Sequence, residues 1–517
     1  MFGLSSRASI LVLVLWLCNL GACLEQPLEY KSAQSHVTGP HSVTSLALKD
    51  SARNSSDRGF VPLGSLHSLN PKFFTTLVHP LFPEYKVRIK ETDFCDDTVR
   101  SYTGYIDIQA RHLFFYFFES RSDPDSDPVI LWTNGGPGCS SSLGLLMELG
   151  PCRVTNATTG PEYFKESWNS NANIFFIDQP TGVGFSYAEY GETVSTTEEA
   201  AVDVARFVSL FFENFPKLKG RAFHMAGESY GGRYIPLFAA AVYDQNALLI
   251  SSGLTPINIT SVMIGNGATE PLTALTSYYN MLCTPASVFP VLDISSCLRM
   301  KEAIPRCKRW FKASCLDTYD EMACRAANSF CTTELLDPFD SLNLNPYDLT
   351  QECTDSSSLC YPVTIQIRDY LSRSDVHELL GVDSHVPPTF SSCSDDVATA
   401  FDVTLDETHD SSVYVGALLE HGVDVLLYVG TNDFICNHFG NNEWSVTLEW
   451  SGHERFAAQE LHEWAVNGIV SGKTRTARGL AAALTFATVD NAGHMVPYDK
   501  PVAALAMVQR FLSGKSL

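Results

Sequence analysis

Ala222-Phe223-His224-Met225-Ala226-Gly227-Glu228-Ser229-Tyr230-Gly231 is the stretch whose reading decides the fold. An apolar run leads into a serine set between two glycines, and Tyr234-Ile235-Pro236-Leu237-Phe238-Ala239-Ala240-Ala241-Val242 carries the chain away as a helix-like run. Strand, sharp turn and helix in that order describe a nucleophile elbow, in which strained backbone holds the serine hydroxyl clear of the chain. Both flanking glycines are expected to matter, because a side chain at either position would collide where the turn is tightest. An ordinary Gly-rich turn has the same look over five residues, so the reading rests on what else the chain supplies.

A serine hydroxyl is a poor nucleophile until a base removes its proton, and the base works best when a third group fixes its tautomer. Residues 423–430 form an apolar run followed by Asp433, and residues 484–489 form another followed by Asn491-Ala492-Gly493-His494. Taken singly, Asp433 reads as a turn former and His494 as one of fourteen histidines. Serine, acid and histidine in that order, each after a strand, are the arrangement of an α/β-hydrolase. Residues 128–132 and 173–178 are short and apolar on both faces, as a mixed central sheet covered by helices requires. Between the serine and the acid, residues 268–362 are Cys-dense with short apolar pieces and weak periodicity. They read as an inserted cap subdomain stapled by disulfides, since such a stretch would not hold one shape without cross-links.

The composition sets limits on function. With 517 residues, 45% hydrophobic and 18% charged, the chain is globular. A formal charge of −23 disfavours nucleic acid and acidic membrane surfaces as partners and suits solubility in an acidic compartment. No phosphate-binding Gly-rich loop, His-Glu-x-x-His or paired Cys-x-x-Cys occurs, so no metal or other cofactor is indicated. Arg7, the apolar run of residues 10–18 and the small Gly21-Ala22 read as a signal peptide over residues 1–23, too short to span a bilayer. Leu20-Gly21-Ala22-Cys23 also resembles a lipid-attachment box, which such a signal does not need. No run of eighteen or more apolar residues occurs elsewhere, so no membrane anchor is expected. Asn54, Asn156 and Asn258 stand in glycosylation patterns, which gain force from the signal. Removing Cys18 and Cys23 leaves thirteen of fifteen cysteines, an odd number pointing to disulfides plus one thiol.

Five stretches together resemble the serine carboxypeptidase family, the group of carboxypeptidase Y and cathepsin A. They are residues 132–141 (Trp-Thr-Asn-Gly-Gly-Pro-Gly-Cys-Ser-Ser), 178–187 (Asp-Gln-Pro-Thr-Gly-Val-Gly-Phe-Ser-Tyr), 227–230 (Gly-Glu-Ser-Tyr), 433–437 (Asp-Phe-Ile-Cys-Asn) and 493–497 (Gly-His-Met-Val-Pro). The resemblance runs from about Tyr102 to the C-terminus. It implies a peptidase releasing C-terminal amino acids through an acyl-enzyme on Ser229, with Asp433 and His494 completing the triad. It implies an oxyanion hole of backbone N–H groups from Gly136 and Tyr230, and a terminal-carboxylate site of Asn134, Gly135, Glu148 and Glu228. A carboxylate cannot accept a hydrogen bond from another ionised carboxylate, so one member of the Glu148/Glu228 pair must be protonated. That favours mild acid. The resemblance further implies bridges Cys139–Cys393, Cys283–Cys297, Cys307–Cys331, Cys315–Cys324 and Cys353–Cys360, with Cys436 as an accessible free thiol near the site. Cys95 and Cys152 match no cysteines of the carboxypeptidase Y branch and are expected to form a sixth bridge. A propeptide is implied over residues 24–85, ahead of the catalytic domain at 86–517, and the setting is the secretory pathway, either vacuolar or lysosomal, or secreted.

Two rival readings exist within this resemblance. Relatives that transfer acyl groups between small metabolites carry Asp before the serine and often lack the asparagine before Gly-Gly-Pro-Gly, so Glu228 and Asn134 favour the peptidase. A protective or binding partner without chemistry would have no need of an intact Ser229, Asp433 and His494. Two positions depart from the family pattern. Gly231 replaces a common alanine, and Arg233 stands where the carboxypeptidase Y branch has histidine.

Overall fold

The computed structural model describes residues 60–517. The expected signal peptide, most of the expected propeptide and Asn54 lie outside the described residues. The first four strands, β1 (Thr75–Val78), β2 (Tyr85–Thr92), β3 (Ser101–Ile108) and β4 (Arg111–Phe118), form an antiparallel meander. Six parallel strands make the centre: β5 (Val129–Thr133), β6 (Asn173–Ile177), β7 (Phe223–Ser229), β8 (Ile259–Gly267), β9 (Asp424–Gly430) and, after the hairpin of β10 (His462–Val466) and β11 (Ile469–Arg478), β12 (Ala483–Val489). The spatial order is β1-β2-β3-β4-β6-β5-β7-β8-β9-β12-β11-β10, with Tyr187–Ala188 pairing on β4.

Every residue of β5 and β6 is buried, as strands covered on both faces must be. In β4 the pleat sorts the aromatics: Phe115 and Phe117 join one core with Phe175, Phe207 and Phe211, while Phe114, Tyr116 and Phe118 join the other with Trp132 and Trp168. Helices α1 (Thr197–Asn214) and α2 (Gly231–Ser251) cover the first face. The mixed sheet and its helical layers make this an α/β-hydrolase fold, cross-linked by six disulfides.

Structure begins earlier than the chain's change of character suggests. β1 pairs on β2, and Leu69, Leu77 and Phe82 are buried in the same core as α1. A boundary at residue 85 therefore cuts through the folded unit. The apolar residues there come singly or in short pairs broken by Pro, Gly and polar residues, so they give no period to read.

The inserted segment holds three helices rather than irregular loops: α3 (Pro271–Cys283), α4 (Ile294–Phe311) and α5 (Glu321–Leu335). The buried stripe of α4 is Met300, Ala303, Cys307 and Phe311, and that of α5 is Cys324, Ala327, Cys331 and Leu335. Both follow the same 3-4-4 spacing, but five of the eight positions are Cys or Ala, which weakens the periodicity visible in sequence. Asp293 and Asp320 cap the two helices, each accepting a backbone N–H three residues on. Cys283–Cys297 ties α3 to α4, Cys307–Cys331 ties α4 to α5, and Cys315–Cys324 closes the turn between them. Cys95–Cys152, Cys139–Cys393 and Cys353–Cys360 are also bridged.

Candidate active site

Ser229 ends β7 with φ 62°, a left-handed conformation that a non-glycine residue rarely adopts, and the pairing of β7 with β8 shifts register between Glu228 and Ser229. α2 starts two residues later, so the turn is a sharp strand-to-helix elbow. Its two glycines are not equivalent. A Cβ at Gly227 would lie 2.8 Å from Ile235 and 2.9 Å from the Thr133 carbonyl, whereas one at Gly231 would meet only the Thr133 carbonyl at 3.4 Å. The collision expected at both positions exists at Gly227 alone, and an alanine at 231 would fit.

Asp433 and His494 follow β9 and β12, the two strands beyond β8 in the parallel order. His494 Nδ1 lies 2.8 Å from Asp433 Oδ2, and both residues are buried. Three donors converge on the Asp433 carboxylate: Asn266 Nδ2 at 2.7 Å and Cys436 N at 3.3 Å on Oδ2, and Ile435 N at 3.1 Å on Oδ1. The His494 amide donates to the Tyr347 carbonyl at 2.7 Å, and the two rings are 5.1 Å apart. Asn266 was not singled out from the sequence. It sits in Gly265-Asn266-Gly267 at the end of β8, a polar strand-end residue directly flanked by glycines, whereas the glycines around Ser229 stand two residues away on each side.

Gly135 packs directly under the elbow. A Cβ there would lie 2.3 Å from Tyr230 N and 2.7 Å from the Glu228 carbonyl, so only glycine allows these two loops to meet. Gly136 and Tyr230 line the cavity that reaches Ser229. Asp178 fixes the loop after Gly138 by accepting from Ser140 Oγ at 2.6 Å, Ser141 N at 3.1 Å and Phe185 N at 3.0 Å. Burial pushes its carboxyl up to about 6.

The acid pair lies beside the nucleophile, fully enclosed. Asn134 Nδ2 donates to Glu148 Oε1 at 3.3 Å, while Asn134 Oδ1 accepts from Trp132 Nε1 at 2.7 Å and Gly144 N at 3.0 Å. Glu148 closes a single π-helical turn, Gly144–Glu148. Burial raises both carboxyls, and Glu228 most, because the Glu148 charge adds to its desolvation. Their mutual charge disfavours ionising both at once, and the stronger rise of Glu228 favours the proton there. The Oε2 atoms of Glu148 and Glu228 are both buried without a hydrogen-bond partner.

Cys436 is free but not accessible as expected: only 6% of it is exposed, in the wall of the active-site cavity. Its neighbours explain its burial, since an atom each of Asp433, Cys436 and His494 lies within 4.8 Å of the other two. Burial and the Asp433 charge push the thiol well above its ordinary range, which keeps it neutral. Arg233, 2% exposed, binds Asp406 and Glu198, and Asp406 also accepts from Tyr230 Oη at 2.7 Å. Asn156 and Asn258 are exposed.

Comparison with known proteins decides the family. A model of the family described as serine carboxypeptidase matches residues 92–514. The chain belongs to the serine carboxypeptidase family. It is 40% identical over 450 residues to the vacuolar serine-type carboxypeptidase ATG42 of Saccharomyces cerevisiae, covering 85% of each chain. It is also 40% identical over 436 residues to carboxypeptidase Y of Candida albicans, covering 84% of this chain and 77% of that one. Among solved structures it resembles Kex1(delta)p, a prohormone-processing carboxypeptidase of Saccharomyces cerevisiae, with a TM-score of 0.68 at 27% identity over 81% of this chain and 92% of that chain. This serine carboxypeptidase is thus a peptide hydrolase of α/β-hydrolase fold, and no helix among its described residues is long and apolar enough to cross a membrane.

Proposed function

We propose that this carboxypeptidase cleaves the last peptide bond of its substrates through an acyl-enzyme on Ser229 and works best in mild acid. His494 takes the Ser229 proton as the oxygen attacks the carbonyl carbon, and delivers it to the departing amine of the terminal residue. Water then attacks the ester by the same route in reverse, returning the proton to Ser229. Asp433 orients the imidazole, and the Asn266 amide holds Asp433. The backbone N–H groups of Gly136 and Tyr230 receive the negative charge that develops on the carbonyl oxygen. Protonated Glu228, Glu148, Asn134 and the Gly135 backbone hold the terminal carboxylate, which restricts cleavage to the end of the chain.

The observation that carries this reading is the buried acid pair beside the elbow. Two enclosed carboxyls sharing one proton are costly to maintain, and a donor that exists only while protonated suits a partner that is itself a carboxylate. The same pair supports an acidic working pH. An exported enzyme acting in an acidic vacuole or lysosome, or outside the cell, agrees with the signal-like N-terminus, six disulfides and exposed acceptor sites at Asn156 and Asn258. A propeptide that ends before Leu69 would leave β1 and the core beneath it intact. Digestion of a peptide library with the processed enzyme, read by mass spectrometry, tests the reading. Single residues released successively from free C-termini are expected, with free C-termini losing their advantage over C-terminally amidated ones above the pair's titration. Internal cleavage as the main product would contradict it.

A further inference from the structure

Two loops that must act together, the Glu148 turn and the loop bearing His494, are joined by a side chain that the reaction itself does not use. Soon after Glu148 the chain runs back as the short strand Cys152–Arg153, paired with Glu162–Tyr163. Val154 N donates to the Leu146 carbonyl at 2.9 Å, and the Cys95–Cys152 bridge ties the strand to the loop after β2. From this base Arg153 turns back into the site. Its Nη2 donates to the Glu148 carbonyl at 2.9 Å and also to the carbonyl of Pro497, in the loop that follows His494, at 2.9 Å.

The guanidinium lies against two aromatic rings, 3.7 Å from the Phe164 centroid and 5.5 Å from that of Tyr498. Burial lowers it from its ordinary value against the pull of Glu148, Tyr498, Glu166 and Asp499, yet an arginine stays charged throughout the range in which carboxyls titrate. Glu148 therefore faces a fixed positive charge in addition to the titrating His494, whereas Asp433 and Asp499 add negative charge around Glu228. A cation on that side favours ionised Glu148 and the shared proton on Glu228. The same guanidinium thus has two consequences: its hydrogen bonds hold two backbone segments together, and its charge acts on the acid pair.

We propose that Arg153 is a positioning residue that ties the Glu148 turn to the histidine loop and whose fixed charge sets the pH at which peptide acids cease to bind. The second part rests on the carboxylate-site reading given above. The test measures kcat and KM from about pH 4 to 8 for a blocked dipeptide acid and its amide, with wild type, Arg153→Gln and Arg153→Lys. Arg153→Gln lacks the cation, so a second negative charge on the pair becomes costlier and the rise of KM for the acid should move to higher pH by roughly one unit. Arg153→Lys keeps the cation but not the fork that bridges two carbonyls. Its acid profile should stay within about 0.3 pH unit of wild type while kcat for the amide falls severalfold, as in Arg153→Gln. An unmoved acid profile in Arg153→Gln, an equal shift in both variants, or an unchanged amide kcat in Arg153→Lys overturns the proposal. Should Arg153→Gln not fold, Arg153→Lys decides alone, by a shifted acid profile or an unchanged amide kcat. If acid and amide share one profile in wild type, the carboxylate reading is what fails, and the amide kcat of Arg153→Lys still decides whether Arg153 holds the histidine loop.

Discussion

Replacing Glu228 by glutamine isolates the proton on which carboxylate recognition depends. Glu228 and Glu148 are almost wholly buried, and burial plus the neighbouring charge lift Glu228 well above the ordinary carboxyl range. Below its titration Glu228 donates a hydrogen bond; as pH rises through it the donor is lost and a negative charge faces the substrate carboxylate. A hydrogen bond to a charged group contributes about 1.5–3 kcal/mol, so its loss alone should raise KM roughly 10- to 150-fold. Repulsion between the two carboxylates adds to that. The glutamine amide donates at every pH, so KM for a blocked dipeptide acid should vary by less than about threefold from pH 4 to 8 in Glu228→Gln, while in wild type it climbs. The corresponding dipeptide amide has no terminal carboxylate and should show no such climb in either enzyme. Steady-state kinetics on the acid and amide at half-unit pH intervals decide the matter. Identical pH dependence of acid and amide in wild type, or an unchanged acid profile in Glu228→Gln, would refute the reasoning.

Three further outcomes follow from other contacts in the site. Asn266→Ala removes a 2.7 Å donor from the Asp433 carboxylate, so kcat should fall roughly tenfold with KM little changed, and an unchanged kcat in the folded variant would show that Asn266 does not support the acid. Arg233→Ala leaves Asp406 buried without its cation and should cost about 3–5 kcal/mol in denaturant unfolding, whereas a loss below about 1 kcal/mol would show the pair to be dispensable. A bulky mercurial should inactivate the wild type slowly, since the Cys436 thiol is buried and neutral, and should leave Cys436→Ser active; equal inactivation of both would place the sensitive thiol elsewhere.

The elbow, the acid and the histidine were legible because each ends a short apolar strand, and a parallel sheet brings consecutive strand ends to one edge. The roles of Glu148 and Asn134 came only through family resemblance, although the apolar neighbours Leu146, Met147 and Leu149 point to a buried setting for Glu148. Asn266 carried a local signal in its flanking glycines. Asp406 carried none: it follows α5 by about seventy residues and reaches Tyr230 and Arg233 through the tertiary fold alone. The cap helices were obscured because Cys and Ala occupy buried positions where larger apolar residues would have exposed the period. β1 was obscured because it buries one residue, Leu77.

The central claim is that Ser229 is the acylated nucleophile, and the most direct measurement is active-site labelling with an organophosphate, mapped by peptide mass spectrometry on wild type and Ser229→Ala. One phosphoryl group per molecule is expected, on the peptide containing Ser229, with loss of activity in proportion to labelling. Ser229→Ala should fold, take no label and hydrolyse blocked dipeptides at least roughly a thousandfold more slowly. A stoichiometric label on another serine, or near-normal turnover by the folded Ser229→Ala protein, would contradict the account.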